Sequence, residues 1–271
     1  MDLLQTIIIA IVEGLTEFLP VSSTGHMIIT QNLLGVEQGN EFVHAFTFII
    51  QFGAILSVVC LYWKRFFSLN EETLRLYAKL VVGVLPAVVV GLAAKKSGLL
   101  GWLLDSVEVV AVMLILGGVF MLFCDKLFNK GVDENEVTYK HAFNIGLFQC
   151  LSVIPGMSRS MATIVGGMAN KLTRKKAAEF SFFLAVPTMA GATILDLYDL
   201  LKGDGSWATS ENFMLLGVGS IVSFVVALLA MKWFVSFLTK YGFKAFGWYR
   251  IIVGAIILIM ILSGVSLNMV D

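Results

Sequence analysis

The chain has 271 residues, 58% of them hydrophobic and 14% charged, with nineteen basic residues against nineteen acidic ones and a mean hydropathy of +0.88. A soluble domain carries about a quarter charged residues, so the composition excludes an ordinary soluble globule and points to an all-α polytopic membrane protein. Neutral net charge, with no basic stripe and no recognition motif, gives no ground for nucleic-acid binding.

The first segment, residues 3–34, is apolar at both ends and broken in the middle. No Lys or Arg precedes the apolar run from Leu3 to Val12, so a cleavable signal peptide is not expected. The run leads into Glu13-Gly-Leu-Thr-Glu17-Phe-Leu-Pro20-Val-Ser22-Ser23-Thr24-Gly25-His26. Glu13 and Glu17 stand four apart and share one face of a helix. Carboxylates that point together repel unless a cation or a proton lies between them. A hard divalent ion, Mg2+ or alternatively Ca2+, takes such oxygens together with phosphate. The bland account is two glutamates at a hydrated helix mouth. Ser22, Ser23 and Thr24 offer hydroxyls, and Gly25 lets the backbone approach a ligand. His26, three residues after Ser23, has the chemistry of a base that could activate a serine. The same hydroxyls could equally cap helix ends.

Six stretches then have roughly the 17–25 apolar residues of a bilayer span, or a little fewer. They are Phe42–Trp63, Leu80–Ala94, Val107–Phe123, Ala177–Leu201, Asn212–Met231 and Ala245–Leu262. Cys60, Cys124 and Cys150 show no CxxC spacing and read as buried free thiols. His44 and Gln51 are polar residues without an evident partner, and His141 reads as a loop residue. Arg250 and Glu179 lie near span ends, where snorkelling or structural pairing accounts for them.

Between the third and fourth spans, residues 142–169 form a second broken segment, around Pro155-Gly156-Met-Ser158-Arg159-Ser160-Met-Ala-Thr163. Proline and glycine interrupt a helix, and such breaks survive at membrane depth only under cover of protein or in a watery cavity. Both broken segments are therefore expected to be re-entrant helical hairpins. Arg159, permanently charged and forked, suits a phosphate. A helix beginning near Ser158 would add free N–H groups to the same site. Alternatively, Arg159 pairs with Glu13 or Glu17 and holds the two hairpins together.

The halves resemble each other. Phe46-Thr-Phe-Ile-Ile matches Phe180-Ser-Phe-Phe-Leu, and Val82-Gly83-Val84 matches Leu216-Gly217-Val218, both at an offset of 134; Pro20 and Ser23 fall on Pro155 and Ser158 at 135. Residues 1–134 and 135–271 are thus expected to be two repeats, each a hairpin plus three spans. An odd number of spans inverts the second repeat. Basic residues crowd into connections 64–79 (Lys64, Arg65, Arg75, Lys79), 126–140 (Lys126, Lys130, Lys140), 171–176 (Lys171, Arg174, Lys175, Lys176) and 232–244 (Lys232, Lys240, Lys244). The opposite connections hold Lys95, Lys96 and Lys202. The positive-inside bias then puts the rich loops in the cytoplasm and both termini outside.

At the two polar motifs the sequence resembles the bacterial undecaprenyl-diphosphate phosphatase family, the integral membrane type linked to bacitracin resistance. The resemblance covers essentially the whole chain, including Glu179-Phe-Ser-Phe-Phe-Leu-Ala-Val-Pro187. It implies removal of the terminal phosphate of undecaprenyl diphosphate, which returns the lipid carrier of peptidoglycan synthesis. It implies roles for Glu13, Glu17, Ser23, His26, Ser158, Arg159 and Thr163. It also implies a divalent metal, a prenyl diphosphate lipid as partner, a site opening on the outer face of the plasma membrane, and often a homodimer.

These readings make Ser23 the expected nucleophile, His26 its base, and Glu13 and Glu17 the metal ligands. Arg159 would grip the diphosphate, with Ser22, Thr24, Gly25, Ser158, Ser160 and Thr163 contacting substrate. Direct attack by His26, or by a water it activates, is the rival. A prenyl-phosphate transporter or flippase is the second class, because inverted repeats and broken helices also serve transport.

Overall fold

The computed structural model describes residues 1–37, 40–68, 70–97, 106–128, 131–133, 135–202, 205 and 207–269. Among them the regular structure is helical: α1 Leu3–Thr16, α2 Ser23–Leu33, α3 Glu41–Leu61, α4 Trp63–Phe67, α5 Glu71–Ser97, α6 Val107–Leu127, α7 Tyr139–Gln149, α8 Arg159–Ala169, α9 Arg174–Leu200, α10 Ser210–Tyr241 and α11 Lys244–Leu262. A 3₁₀ turn at Cys150–Val153 extends α7.

The expected spans correspond to α3, α5, α6, α9, α10 and α11, all long and apolar enough to cross a membrane. Their outward faces stay apolar; Val81, Leu229 and Leu262 are strongly exposed. Lipid removes the penalty that water would impose on such a surface. The same fact corrects the expectation for the cysteines. All three are free thiols, but only Cys124 is buried, and Cys60 is exposed. Apolar sequence surroundings do not predict burial where the outer surface is itself apolar. His141 is also more than a loop residue, since it closes a capping box with Thr138 at the start of α7.

The two broken segments are helix–break–helix units, α1–α2 and α7–α8. With 14 and 11 residues, or 11 and 11, each arm rises roughly 16–21 Å, short of a hydrocarbon core of about 30 Å. Each second arm opens on a serine with the same uncommon backbone. Ser22 has φ 69° and ψ 99°, and Ser158 has φ 71° and ψ 113°. Non-glycine residues at positive φ are costly and mark places where the surroundings impose the conformation. The geometric partner of Ser158 is therefore Ser22, not Ser23, one residue away from the sequence alignment.

The first arms of the hairpins pack across the chain, α1 against α10 and α7 against α5, and the spans α6 and α11 lie against each other. Glycines permit the close approach. A Cβ on Gly14 would lie 2.6 Å from the Ser223 carbonyl oxygen, and one on Gly146 would run into the Gly83 carbonyl. Edge-to-face aromatic pairs, Phe18–Phe182 at 5.5 Å and Phe234–Phe246 at 5.4 Å, join the first hairpin tip to α9 and α10 to α11. At one end of the bundle the basic connections meet. Asp125 there pairs with Arg174 at 2.7 Å and accepts from the Phe243 N–H at 2.8 Å. Lys130 lies outside the described residues.

Of the two accounts of Arg250, structural pairing is the one the structure shows: the side chain does not snorkel from a span end but is fully buried. Its guanidinium donates to the carbonyls of Pro20 and Met157, both at 3.3 Å, Gly156 at 2.8 Å, Met113 at 3.0 Å and Leu114 at 3.4 Å. One side chain thus holds both hairpin tips against α6. Gly117 is where the group passes, since a Cβ there would collide with it. Buried carbonyls that lose their donor cost about 1–3 kcal/mol each. Arg250→Met should therefore destabilise the detergent-solubilised protein by about 3 kcal/mol or more, read by thermal melting. An unchanged melting temperature would mean that the tips dock without this side chain.

Candidate functional site

The tips of the two hairpins bring four sequence-predicted residues into one network. Ser23, the first residue of α2, donates its hydroxyl to Glu17 Oε2 at 2.7 Å. Arg159, the first residue of α8, donates from Nη2 to Glu17 Oε1 at 2.8 Å. Glu17 follows directly on the last turn of α1 and so bridges the two hairpins. The side chains of this ion pair are 11% and 8% exposed, which removes it from the weak class of surface pairs. Arg159 also donates to the Ser181 carbonyl at 3.3 Å and stands 5.7 Å from the Phe18 ring centroid. Its Nε is buried and unpartnered.

Glu13, one turn before Glu17, is fully buried, and neither carboxylate oxygen has a hydrogen-bond partner. Such a group requires a proton or a cation to be stable. The residues present fit a divalent cation: Glu13, Glu17 and the Ser23 hydroxyl make an all-oxygen set of the kind hard ions take. Among the described residues no three His, Cys, Asp or Glu side chains gather as a metal cluster. Two protein carboxylates completed by phosphate oxygens and water is a pattern typical of Mg2+.

The expected Ser23–His26 pair is not what forms, because the serine hydroxyl is given to Glu17. His26 instead lies between the Ser22 carbonyl, 2.7 Å from Nδ1, and the Tyr249 hydroxyl, 2.7 Å from Nε2. A carbonyl only accepts, so Nδ1 carries the hydrogen and Nε2 presents the lone pair.

The remaining candidates divide between the site and its frame. Ser22 and Ser158 cap α2 and α8, accepting from Gly25 N at 3.5 Å and Met161 N at 3.3 Å. Thr24 sits in the first turn of α2, half-buried beside Ser23. Ser160 is buried and donates to the Leu19 carbonyl at 2.8 Å, tying the second tip to the first. Thr163 is also buried, its hydroxyl 2.6 Å from that of Ser181 and within reach of the Arg159 carbonyl. Gly25 is small for a packing reason: a Cβ would lie 2.8 Å from Leu114. Ser160, Thr163 and Gly25 thus brace the tips. Ser23 and Arg159, by contrast, each open a helix. First-turn N–H groups lack intrahelical acceptors and favour anions. Two helix starts, an arginine and a serine hydroxyl therefore converge where a phosphate could sit.

The bacitracin resistance protein BacA family model matches residues 6–256, which include every residue of this site. The chain belongs to that family. Relatives named undecaprenyl-diphosphatase run close to full length. One from Porphyromonas gingivalis is 56% identical over 98% of this chain and 99% of its own. Another from Flavobacterium psychrophilum is 54% identical over 96% of each chain. A third, from Bdellovibrio bacteriovorus, is 48% identical over the whole of both. In this BacA-family chain, tyrosine and arginine at 249 and 250 belong to the site's surroundings, although neither lies in a polar motif. Their only signal in the sequence was an Arg–Tyr pair inside an apolar span.

Glu13→Gln replaces an unpartnered buried charge with a neutral amide. Without divalent ions this variant should melt higher than the parent, by the equivalent of about 1–3 kcal/mol, and should lose the stabilisation that Mg2+ confers. Equal stabilisation by Mg2+ would remove Glu13 from the ligand set.

Proposed function

We propose that the protein hydrolyses undecaprenyl diphosphate to undecaprenyl phosphate and inorganic phosphate, and that it does so through Ser23 with Glu17 as base. The Glu17 carboxylate bridging Ser23 and Arg159 is the observation that carries this reading. Ser23 Oγ attacks the terminal phosphorus while its proton passes to Glu17 Oε2. The bond from that phosphorus to the bridging oxygen breaks, and the lipid phosphate leaves. Water then attacks the phosphoserine, the bond from phosphorus to Ser23 Oγ breaks, Oγ takes its proton back from Glu17, and phosphate is released. Arg159, its Nε still unpartnered, and the first-turn N–H groups of α2 and α8 bind the equatorial oxygens, where the transferring group spreads its charge. His26, with its lone pair on Nε2, takes the proton of the attacking water in the second step. A divalent ion held by Glu13 and Glu17 would neutralise phosphate charge and orient the diphosphate.

The reading extends to the surroundings. The product serves as the lipid carrier of peptidoglycan synthesis, and its regeneration confers bacitracin resistance. The protein resides in the bacterial plasma membrane with both termini and the site opening outside; the crowding of basic residues into four connections supports this side assignment. Residues 1–134 and 135–271 form inverted repeats. Matching cap geometry at Ser22 and Ser158, and the packing of α1 on α10 and α7 on α5, support the repeat. A homodimer rests on the family resemblance alone.

The purified protein in detergent should release phosphate from undecaprenyl diphosphate in a divalent-ion-dependent manner. Ser23→Ala and Arg159→Ala should each reduce kcat by at least about 10³-fold. Lipid movement across vesicles without any phosphate release would replace the hydrolase with a carrier. Near-normal turnover by Ser23→Ala alone would instead shift the attack to His26 or to water.

A further inference from the structure

The hydrogen-bond partners of His26 single out a residue that neither polar motif contains. Tyr249 lies on α11, 223 positions away in the chain, and its hydroxyl is 2.7 Å from His26 Nε2. The phenol and imidazole rings are nearly parallel, with 7° between planes and 5.5 Å between centroids. The opposite nitrogen is already committed to the Ser22 carbonyl at 2.7 Å. The imidazole is therefore held at both ends, with one tautomer and one plane.

We propose that Tyr249 is a positioning residue for the phosphatase reaction, holding His26 with Nε2 unprotonated and directed until the hydrolytic water takes the place of the phenol hydroxyl. The inference rests on the reading of His26 as the base of the second step. Its neighbour Arg250 explains why the placement is accurate. The same helical turn that fixes the two hairpin tips through the Pro20, Gly156 and Met157 carbonyls also carries the phenol. Any shift of α11 would move the hairpin tips and the histidine contact together. A tyrosine with 44% of its surface exposed is not held there by burial of its ring. Its hydroxyl contact is the specific one.

A double-mutant cycle on the full-length protein in detergent tests this with undecaprenyl diphosphate as substrate. Tyr249→Phe keeps the ring and removes only the hydroxyl. It should lower kcat by about tenfold, a fraction of the roughly 10²–10⁴-fold that a positioned base supplies, and leave KM unchanged. In the His26→Ala background the same substitution should have no further effect. Selectively ¹⁵N-labelled histidine should show His26 as the Nδ1–H tautomer in both proteins, with the hydrogen-bond shift of Nε2 present in the parent and lost in Tyr249→Phe. A wild-type kcat and Nε2 shift in Tyr249→Phe, or an equal fall in both backgrounds, overturns the role of Tyr249. Full activity of His26→Ala overturns the reading of His26 itself, and with it any need to position that ring.

Discussion

A single buried guanidinium sets the geometry on which the site depends. Arg250 has no carboxylate partner among the described residues; backbone carbonyls of both hairpin tips and of α6 satisfy it. The hairpin-tip carbonyls, of Pro20, Gly156 and Met157, belong to breaks in helices, where the regular ladder cannot use them. In a bundle bathed in lipid they have no water to fall back on. The arginine thus solves two problems at once: a charge that must be solvated and loop carbonyls that need donors. Because the donors radiate from one planar group, the tips of α1–α2 and α7–α8 are fixed relative to each other. The glycine at 117 is part of the same arrangement, since α6 must leave room for the group.

That rigid meeting point lets Glu17 touch both Ser23 and Arg159. A carboxylate bonded on each oxygen is oriented without a protein-imposed strain of its own, and it ties the nucleophile candidate to the phosphate-binding candidate. Glu13 contrasts with it. It is buried, close in sequence and without a hydrogen-bond partner, so the site carries one satisfied carboxylate and one that needs a proton or a cation. The satisfied carboxylate lies within reach of the serine proton, and under the proposed mechanism it would share a cation with the unsatisfied one.

The polar motifs were legible because charge and hydroxyl groups in an apolar chain are expensive and therefore rarely idle. The spans were legible for the complementary reason, and α3, α5, α6, α9, α10 and α11 follow the apolar stretches to within a few residues, apart from a longer, charged start to α5 and a longer α10. Burial was not legible. Cys60 and the exposed Val81 look the same in sequence as Cys124 and the buried Ile50. Hydropathy cannot separate a lipid-facing side chain from a core one, and the pattern lacks the polar face that a water-soluble helix provides. For Arg250, position along a span left snorkelling and structural pairing open; its partners, carbonyls of segments more than 90 residues away, lie beyond any local stretch.

The sequence by itself determined the membrane class, the two helix breaks, and the set of residues from which the site is built. Residue chemistry and local spacing suffice for these, because the cost of burying charge and the interruption of helices by Pro-Gly are local physics. Only the tertiary structure decided who partners whom. Ser23 is bonded to Glu17 and not to His26; His26 is held by Ser22 and Tyr249; Ser160 and Thr163 brace the tips; and Ser22, not Ser23, shares the backbone geometry of Ser158. Hydrogen bonds depend on ångström-scale direction. That direction is set by how α11 and α6 clasp the two hairpins, contacts that no local stretch of the chain contains.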